Sequence, residues 1–197
     1  NQADGDGGGI FAGAGLTILS STIAANTSNA DGLGGGAGGG LYLPPGDPSP
    51  IIANSVFAGN LENGIGDHDD CEGIVLSQGF NLVQQSSGCT LVGGSGDQLD
   101  TNAGLAPLAN NGGPTVGASD ATPTVVMLTR APLASSTLID SGDPSGCKDA
   151  AGVVLLLDQR GLSRTQDGPD AGTTATCDIG AVEVQAVADA VLANGFE

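Results

Sequence analysis

The sequence predicts an all-β chain wound as a right-handed parallel β-helix (a solenoid) with an irregular, disulfide-clipped C-terminal cap. Three observations lead there. Two segments match, Gly8-Gly9-Ile10-Phe11 leading to Ser21-Thr22-Ile23-Ala24-Ala25-Asn26, and Gly39-Gly40-Leu41-Tyr42 leading to Ser55-Val56-Phe57-Ala58-Gly59-Asn60. Their glycine openings lie 31 residues apart (39 − 8) and their closing asparagines 34 apart (60 − 26), so the second copy carries three extra residues. Units repeating at this period hide their apolar faces by stacking on each other. The units read as short β-branched strands with no amphipathic helix, which selects a β-helix among stacked repeats. Composition agrees: hydrophobic residues make up 39% of the 197 residues but aromatics only 3%, as a narrow interior layered with Val, Ile, Leu and Ala requires.

Taken in order, residues 1–9 read as a turn-rich lead-in. Asp4-Gly5-Asp6-Gly7 resembles a glycine–aspartate calcium turn, but one copy serves equally as a plain turn. Leu16 to Ala24 holds two short strands with a corner near Ser20-Ser21, and Ile18 and Ile23 are expected to face inward. Asn26 and Asn60 recur in phase, which predicts an amide ladder hydrogen-bonded along the stack; ordinary turn asparagines are the plainer alternative. Gly32 to Gly40 reads as a flexible loop, and Pro44 to Pro50 as an insertion that must bulge out because proline cannot donate to a ladder. Gly73 to Val83 reads as a third coil with Phe80 and Leu82 inward. The predicted organisation is coils over 1–90, irregular final coils and cap over 91–184, and a tail over 185–197. Within the tail, Val187, Ala190 and Val191 suit one side of a short helix ended by Asn194-Gly195.

Charge narrows the function. Twenty-two acids face four bases, for a net charge of −18. That excludes nucleic-acid and anionic-membrane partners, since neutralising phosphates takes Lys and Arg. The acids serve either as a self-repelling soluble surface or as divalent-cation ligands. The best metal-like cluster is Asp67-His68-Asp69-Asp70, which could hold Ca²⁺ through oxygen ligands or be a solvated acidic turn beside a disulfide; Asp4 and Asp6 are the weaker calcium candidates. No stretch approaches the ~20 apolar residues that span a bilayer. The chain starts at Asn1, without Met and in mid-pattern, so upstream coils and a targeting signal are expected to precede it.

The four cysteines form no C-x-x-C, and His68 is the single histidine, a poor basis for structural zinc. Of three connectivities, sequence-neighbour pairing is expected: Cys71–Cys89 and Cys147–Cys177, each clipping a long loop and contributing about 3 kcal/mol. Disulfides imply an oxidising compartment, hence a secreted or cell-surface protein. Near the second pair, Arg160 and Arg164 are expected to pair with some of Asp158, Asp167, Asp178 and Glu183 to lock the cap, each guanidinium fork holding a carboxylate.

Several later motifs carry a family resemblance. Asp70-Cys71 followed by Gly79-Phe80-Asn81-Leu82, then Leu105 to Thr115, Ile139-Asp140-Ser141-Gly142-Asp143, Asp158-Gln159-Arg160-Gly161 and Cys177-Asp178-Ile179-Gly180-Ala181-Val182-Glu183 stand in an order that resembles the C-terminal region of bacterial secreted right-handed parallel β-helix proteins of the choice-of-anchor type, akin to polymorphic outer-membrane and autotransporter passenger proteins. The closing Asn194-Gly195-Phe196-Glu197 is similar to their short tails. The resemblance implies secretion and surface attachment, and brings no catalytic residues with it.

The function expected is therefore structural or adhesive rather than enzymatic, with copies of the chain itself (stacked head to tail into fibres) or cell-surface glycans as partners. Two alternatives stand beside it. One is a polysaccharide hydrolase using Asp67, Asp69 or Asp70; a lyase is disfavoured because Arg130 is the only base outside the cap region. The other is a calcium-stabilised glycan-binding module.

Overall fold

A computed structural model describes residues 1–13, 15–64, 66, 69–116, 125–169 and 174–185. Its described residues are all-β and mostly parallel, with no helix. Four successive passes of chain lie one on another. The first carries β1 (Ile10–Phe11), β2 (Thr17–Leu19), β3 (Thr22–Ala24) and β4 (Thr27–Ser28). The second repeats them as β5 (Leu41–Tyr42), β6 (Ile51–Ala53), β7 (Val56–Ala58) and β8 (Leu61–Glu62). The third has β9 (Cys71–Ser77) and β10 (Leu82–Val83), and the fourth β11 (Cys89–Gly93) and β12 (Gln98–Leu99). Parallel pairing joins β1-β5-β9, β2-β6-β9, β9-β11, β3-β7-β10-β12 and β4-β8. Beyond the passes, β13 (Thr115–Val116) and β14 (Val125–Val126) pair antiparallel.

The repeat read from the sequence is the strand register. Ile10 pairs with Leu41, Ile18 with Ile52 and Ile23 with Phe57. The chain corners where backbone conformation changes hand. Ser20, Asn54 and Phe80, at φ of 44°, 47° and 56°, separate β2 from β3, β6 from β7 and β9 from β10, and a residue in that region cannot continue a strand. β9 pairs with both β5 and β6, so the third pass runs straight where the second loops out. That loop is the proline-rich stretch, largely exposed.

The glycine openings have a steric cause. A Cβ on Gly9 would lie 2.8 Å from Asn26 Nδ2, and one on Gly40 2.7 Å from Asn60 Nδ2. The repeated glycines are therefore the places against which the repeated asparagines pack. Ala37 to Tyr42 also accepts backbone hydrogen bonds from Gly7, Gly8, Gly9, Ile10 and Ala12. The end of the supposed flexible glycine loop is thus part of the ladder, because glycine permits this close approach of two chains.

Inward residues Ile18, Ile23, Leu41, Ile52, Phe57, Val75 and Val83 form one buried apolar cluster. Their strand neighbours face the other way: Val56, Ala58 and Leu82 meet Ala103, Leu138 and Ile179 in a second cluster. The C-terminal segment therefore packs along the outer side of β7 and β10, where the sequence reading had it covering an end of the stack. Leu138 and Ile179 are 0% and 1% exposed, and burying such side chains contributes about 1.5–3 kcal/mol each, so this lateral layer is integral to the fold. Leu82 is buried, but in this outer cluster and not in the interior expected of it, and Phe80 is not an inward residue either: it sits at the corner, half-buried, with its ring against Gly96.

Candidate functional site

The disulfides join Cys71 to Cys89 and Cys147 to Cys177. Beside the first of them lies the acidic loop. Asp67 and His68 fall outside the described residues. Asp69 Oδ1 accepts the Glu62 backbone N–H at 2.7 Å. Asp70 is fully buried, and its oxygens accept from Asn60 N, Asn60 Nδ2 and Gln85 N at 3.1, 2.8 and 2.8 Å. Burial pushes the Asp70 carboxyl above its ordinary range against those hydrogen bonds. Farther off, Asp6 accepts Ala37 N at 2.8 Å, and Asp4 is exposed. Among the described residues, no three acidic, His or Cys side chains converge as a cation site.

Asp70 has a different place in the architecture. Asn26 Nδ2 donates to Asn60 Oδ1 at 2.8 Å, and Asn60 Nδ2 donates in turn to Asp70 Oδ1. The amide ladder is real geometry, and a carboxylate ends it. A second ladder runs at the other corner. Ser21 N donates to Ser55 Oγ, Ser55 N to Asn81 Oδ1, and Asn81 N and Nδ2 to Asp97 Oδ1. It too ends on an aspartate. The sequence held its signal, since Ser21 and Ser55 repeat at the same 34-residue spacing as Asn26 and Asn60, but serine and asparagine in one column hide the match.

In the C-terminal segment the buried acids converge. Asp158 accepts Arg160 N, Leu162 N and Glu183 N at 2.7, 3.1 and 3.0 Å and pairs with Arg160 Nη2 at 2.7 Å. Glu183 accepts Thr165 N, Gln166 N and Asp178 N, each at 2.9 Å, and lies 3.9 Å from Arg164 Nη1. Asp178 accepts Asp140 N and Val184 N at 2.8 and 2.6 Å. Asp167 takes no part in these ion pairs: it is exposed, on a loop that turns it to water. Burial raises the Asp178 carboxyl to about 7 and also raises Glu183. Burial lowers Arg164, against the attraction of Glu183 and Asp158. Asp178 and Glu183 are both 0% exposed, so a proton that titrates near neutrality is sealed from any substrate. The carboxylates of this cluster close loops by accepting their backbone N–H groups.

The accessible hollows lie along the first pass, and Asp158 and Arg164 of this cluster line the first of them. One of about 470 Å³ runs between Leu19, Ser21 and Thr22 on one side and Leu155, Leu157 and Gln159 on the other. Another of about 430 Å³ lies between Ile10, Thr22 and Ala24 and the pair Leu108 and Arg130. The tail from 186 onward, with its expected short helix, is outside the described residues. Comparison with family models, curated proteins and solved structures gives no match to this chain.

Proposed function

We propose that this chain is the C-terminal region of a bacterial secreted or cell-surface protein with a structural or adhesive role, folded as a right-handed parallel β-helix and associating end to end into extracellular fibres. The observation that supports the reading is the parallel pairing of successive passes, whose last strands β11 and β12 have no further parallel partner among the described residues. Open parallel edges offer unpaired N–H and C=O groups to another chain. Contact between unlike ends does not close, and so propagates as a filament. Two disulfides fit an oxidising compartment, and among the described residues no helix is long and apolar enough to cross a membrane. The acids in well-defined positions act as loop acceptors, which suits a scaffold. Val153, Val154, Leu156 and Leu157 are exposed, and Leu157 lines the first-pass hollow, adding apolar surface for contact.

The net charge of −18 opposes assembly, and salt weakens that opposition. Filaments or oligomers seen by negative-stain microscopy and size exclusion are therefore expected to increase from about 0.01 M to about 1 M salt, over which the screening length falls from about 30 to about 3 Å. Monomers at both extremes would remove the reading.

A further inference from the structure

Three adjoining hollows of about 430, 150 and 170 Å³ meet at Arg130, which lines all of them. In a chain with 22 acidic residues, no Asp or Glu among the described residues lines any of the three. Arg130 is also the one side-chain cation among the described residues that meets no carboxylate. Lys148 pairs with Asp143, Arg160 with Asp158 and Arg164 with Glu183. The hydrogen bond that Arg130 makes runs from Nη1 to the Ala106 carbonyl at 3.3 Å, which leaves Nε and Nη2 without an acceptor among the described residues.

Two more donors line the 170 Å³ hollow with it. Gln84 uses Oε1 to accept Ala103 N at 3.3 Å, and Asn102 uses Oδ1 to accept Gly104 N at 2.9 Å. Their amide Nε2 and Nδ2 groups donate to nothing among the described residues. Ala24, Ala58 and Gly59 also line this hollow, and a Cβ built on Gly59 meets nothing within 4 Å. Leu108 borders the larger hollow, whose volume falls in the usual range for small-ligand clefts, about 300–1,000 Å³.

A concave surface that presents a guanidinium fork and two amide donors, and no negative group among the described residues, is complementary to a planar anion with several acceptors. Its small-residue floor and leucine border suit the C–H face of a sugar ring. We propose that this trough binds the carboxylate of a uronate residue in a short acidic oligosaccharide. The proposal deepens the adhesive role proposed above, giving it a glycan as partner, and rests on it. Whole-chain repulsion disfavours a long polyanion but is screened beyond about 8 Å at physiological salt, so a short oligomer reaching the acid-free trough meets mainly Arg130.

The test is calorimetric titration of the whole chain with trigalacturonate, its methyl ester and triglutamate, on the wild type, Arg130→Gln and Asn102→Ala. Saturable binding of trigalacturonate is expected. Binding of the ester, and binding by Arg130→Gln, should be weaker by about tenfold or more, as loss of a charge-assisted hydrogen bond implies, and binding by Asn102→Ala weaker by about threefold. Ligand-free melting should be unchanged in both variants; should Arg130→Gln melt early, Asn102→Ala decides. No binding of trigalacturonate, equal affinity for the ester, affinity unchanged by the substitutions, or tighter binding of triglutamate would each overturn the site. Filament formation followed on the same samples separates the two ideas: fibres without sugar binding sink only this trough.

Discussion

The stacked passes and the C-terminal segment solve the same problem, buried polar backbone, in opposite ways. In the stack the strands find donors and acceptors in neighbouring passes, and the corners are tied by neutral Ser and Asn columns. Along these two columns carboxylates enter at the last rungs, Asp70 and Asp97. The C-terminal segment has no regular neighbour, so its N–H groups turn to side chains. Asp140, Asp158, Asp178 and Glu183 each accept two or more of them. A carboxylate, with two oxygens and no donor, is the side chain best able to gather several N–H groups at once. The acidic composition of this chain is thus partly architectural, and the region without a repeat depends on it most.

The largest effect that would break this comparison is on the second disulfide. Replacing Cys147 and Cys177 together by Ser should cost about 3.5 kcal/mol in the chain-entropy picture, for a crosslink spanning 30 residues. Because Ile179 and Leu138 lie outside the stack's interior cluster, hydrogen exchange is expected to accelerate first at the Ile179 and Gly180 amides while β3, β7 and β10 stay protected. Simultaneous loss of protection in both regions would mean that they form one cooperative unit and that the distinction has no energetic content.

Next in size is pH. The Asp178 carboxyl stands at about 7 in the folded chain, against 3.8 ordinarily, and Asp70 and Glu183 are raised in the same sense. Between about pH 4 and 7 the folded state therefore binds protons that the unfolded state has released, and stability falls as pH rises through that window. The contribution of Asp178 is fully present below pH 4 and gone above about 7, on the order of 2–4 kcal/mol. Chemical denaturation across pH 4.5 to 7.5, bracketing that change, should show the decline, flattened in Asp178→Asn. A wild-type curve that rises over this range would mean that hydrogen bonds from Asp140 and Val184 hold Asp178 ionised.

The same contrast explains what could be read in advance. Parallel register was legible because it is printed twice: Ile23 and Phe57, Asn26 and Asn60 occupy matched places, and stacking turns sequence period into spatial neighbourhood. The lateral packing of Leu138 and Ile179 on Val56 and Leu82 left no such trace, since nothing repeats over those distances. Phe80 was misread because alternation presumes a continuing strand, while its φ of 56° ends one. Asp70 drew notice as a ligand because acids cluster around it, yet its column-mate is Asn60, ten residues back. Arg130 stood out as the lone base outside the C-terminal cluster; that no described acid lines the hollows around it is visible only in three dimensions.

The smallest of these effects tests the ladder where the two polar strategies meet. Asn60 Oδ1 accepts from Asn26 N and Nδ2 at 3.0 and 2.8 Å, while its Nδ2 donates to Ile23 O and Asp70 Oδ1 at 2.9 and 2.8 Å. Asn60→Ala strands all four partners in a site only 4% exposed, for a loss of about 1–3 kcal/mol at any pH. Asn60→Asp keeps the shape and the acceptor but sets a second carboxylate against Asp70, where like charges drive one group to hold a proton. That variant should be as unstable as Asn60→Ala at pH 7.5 and recover part of the loss by pH 5, once a shared proton restores a donor between the two acids. Equal, pH-independent losses in both variants would show that Asn60 merely fills space and that Asp70 gains nothing from the amide above it.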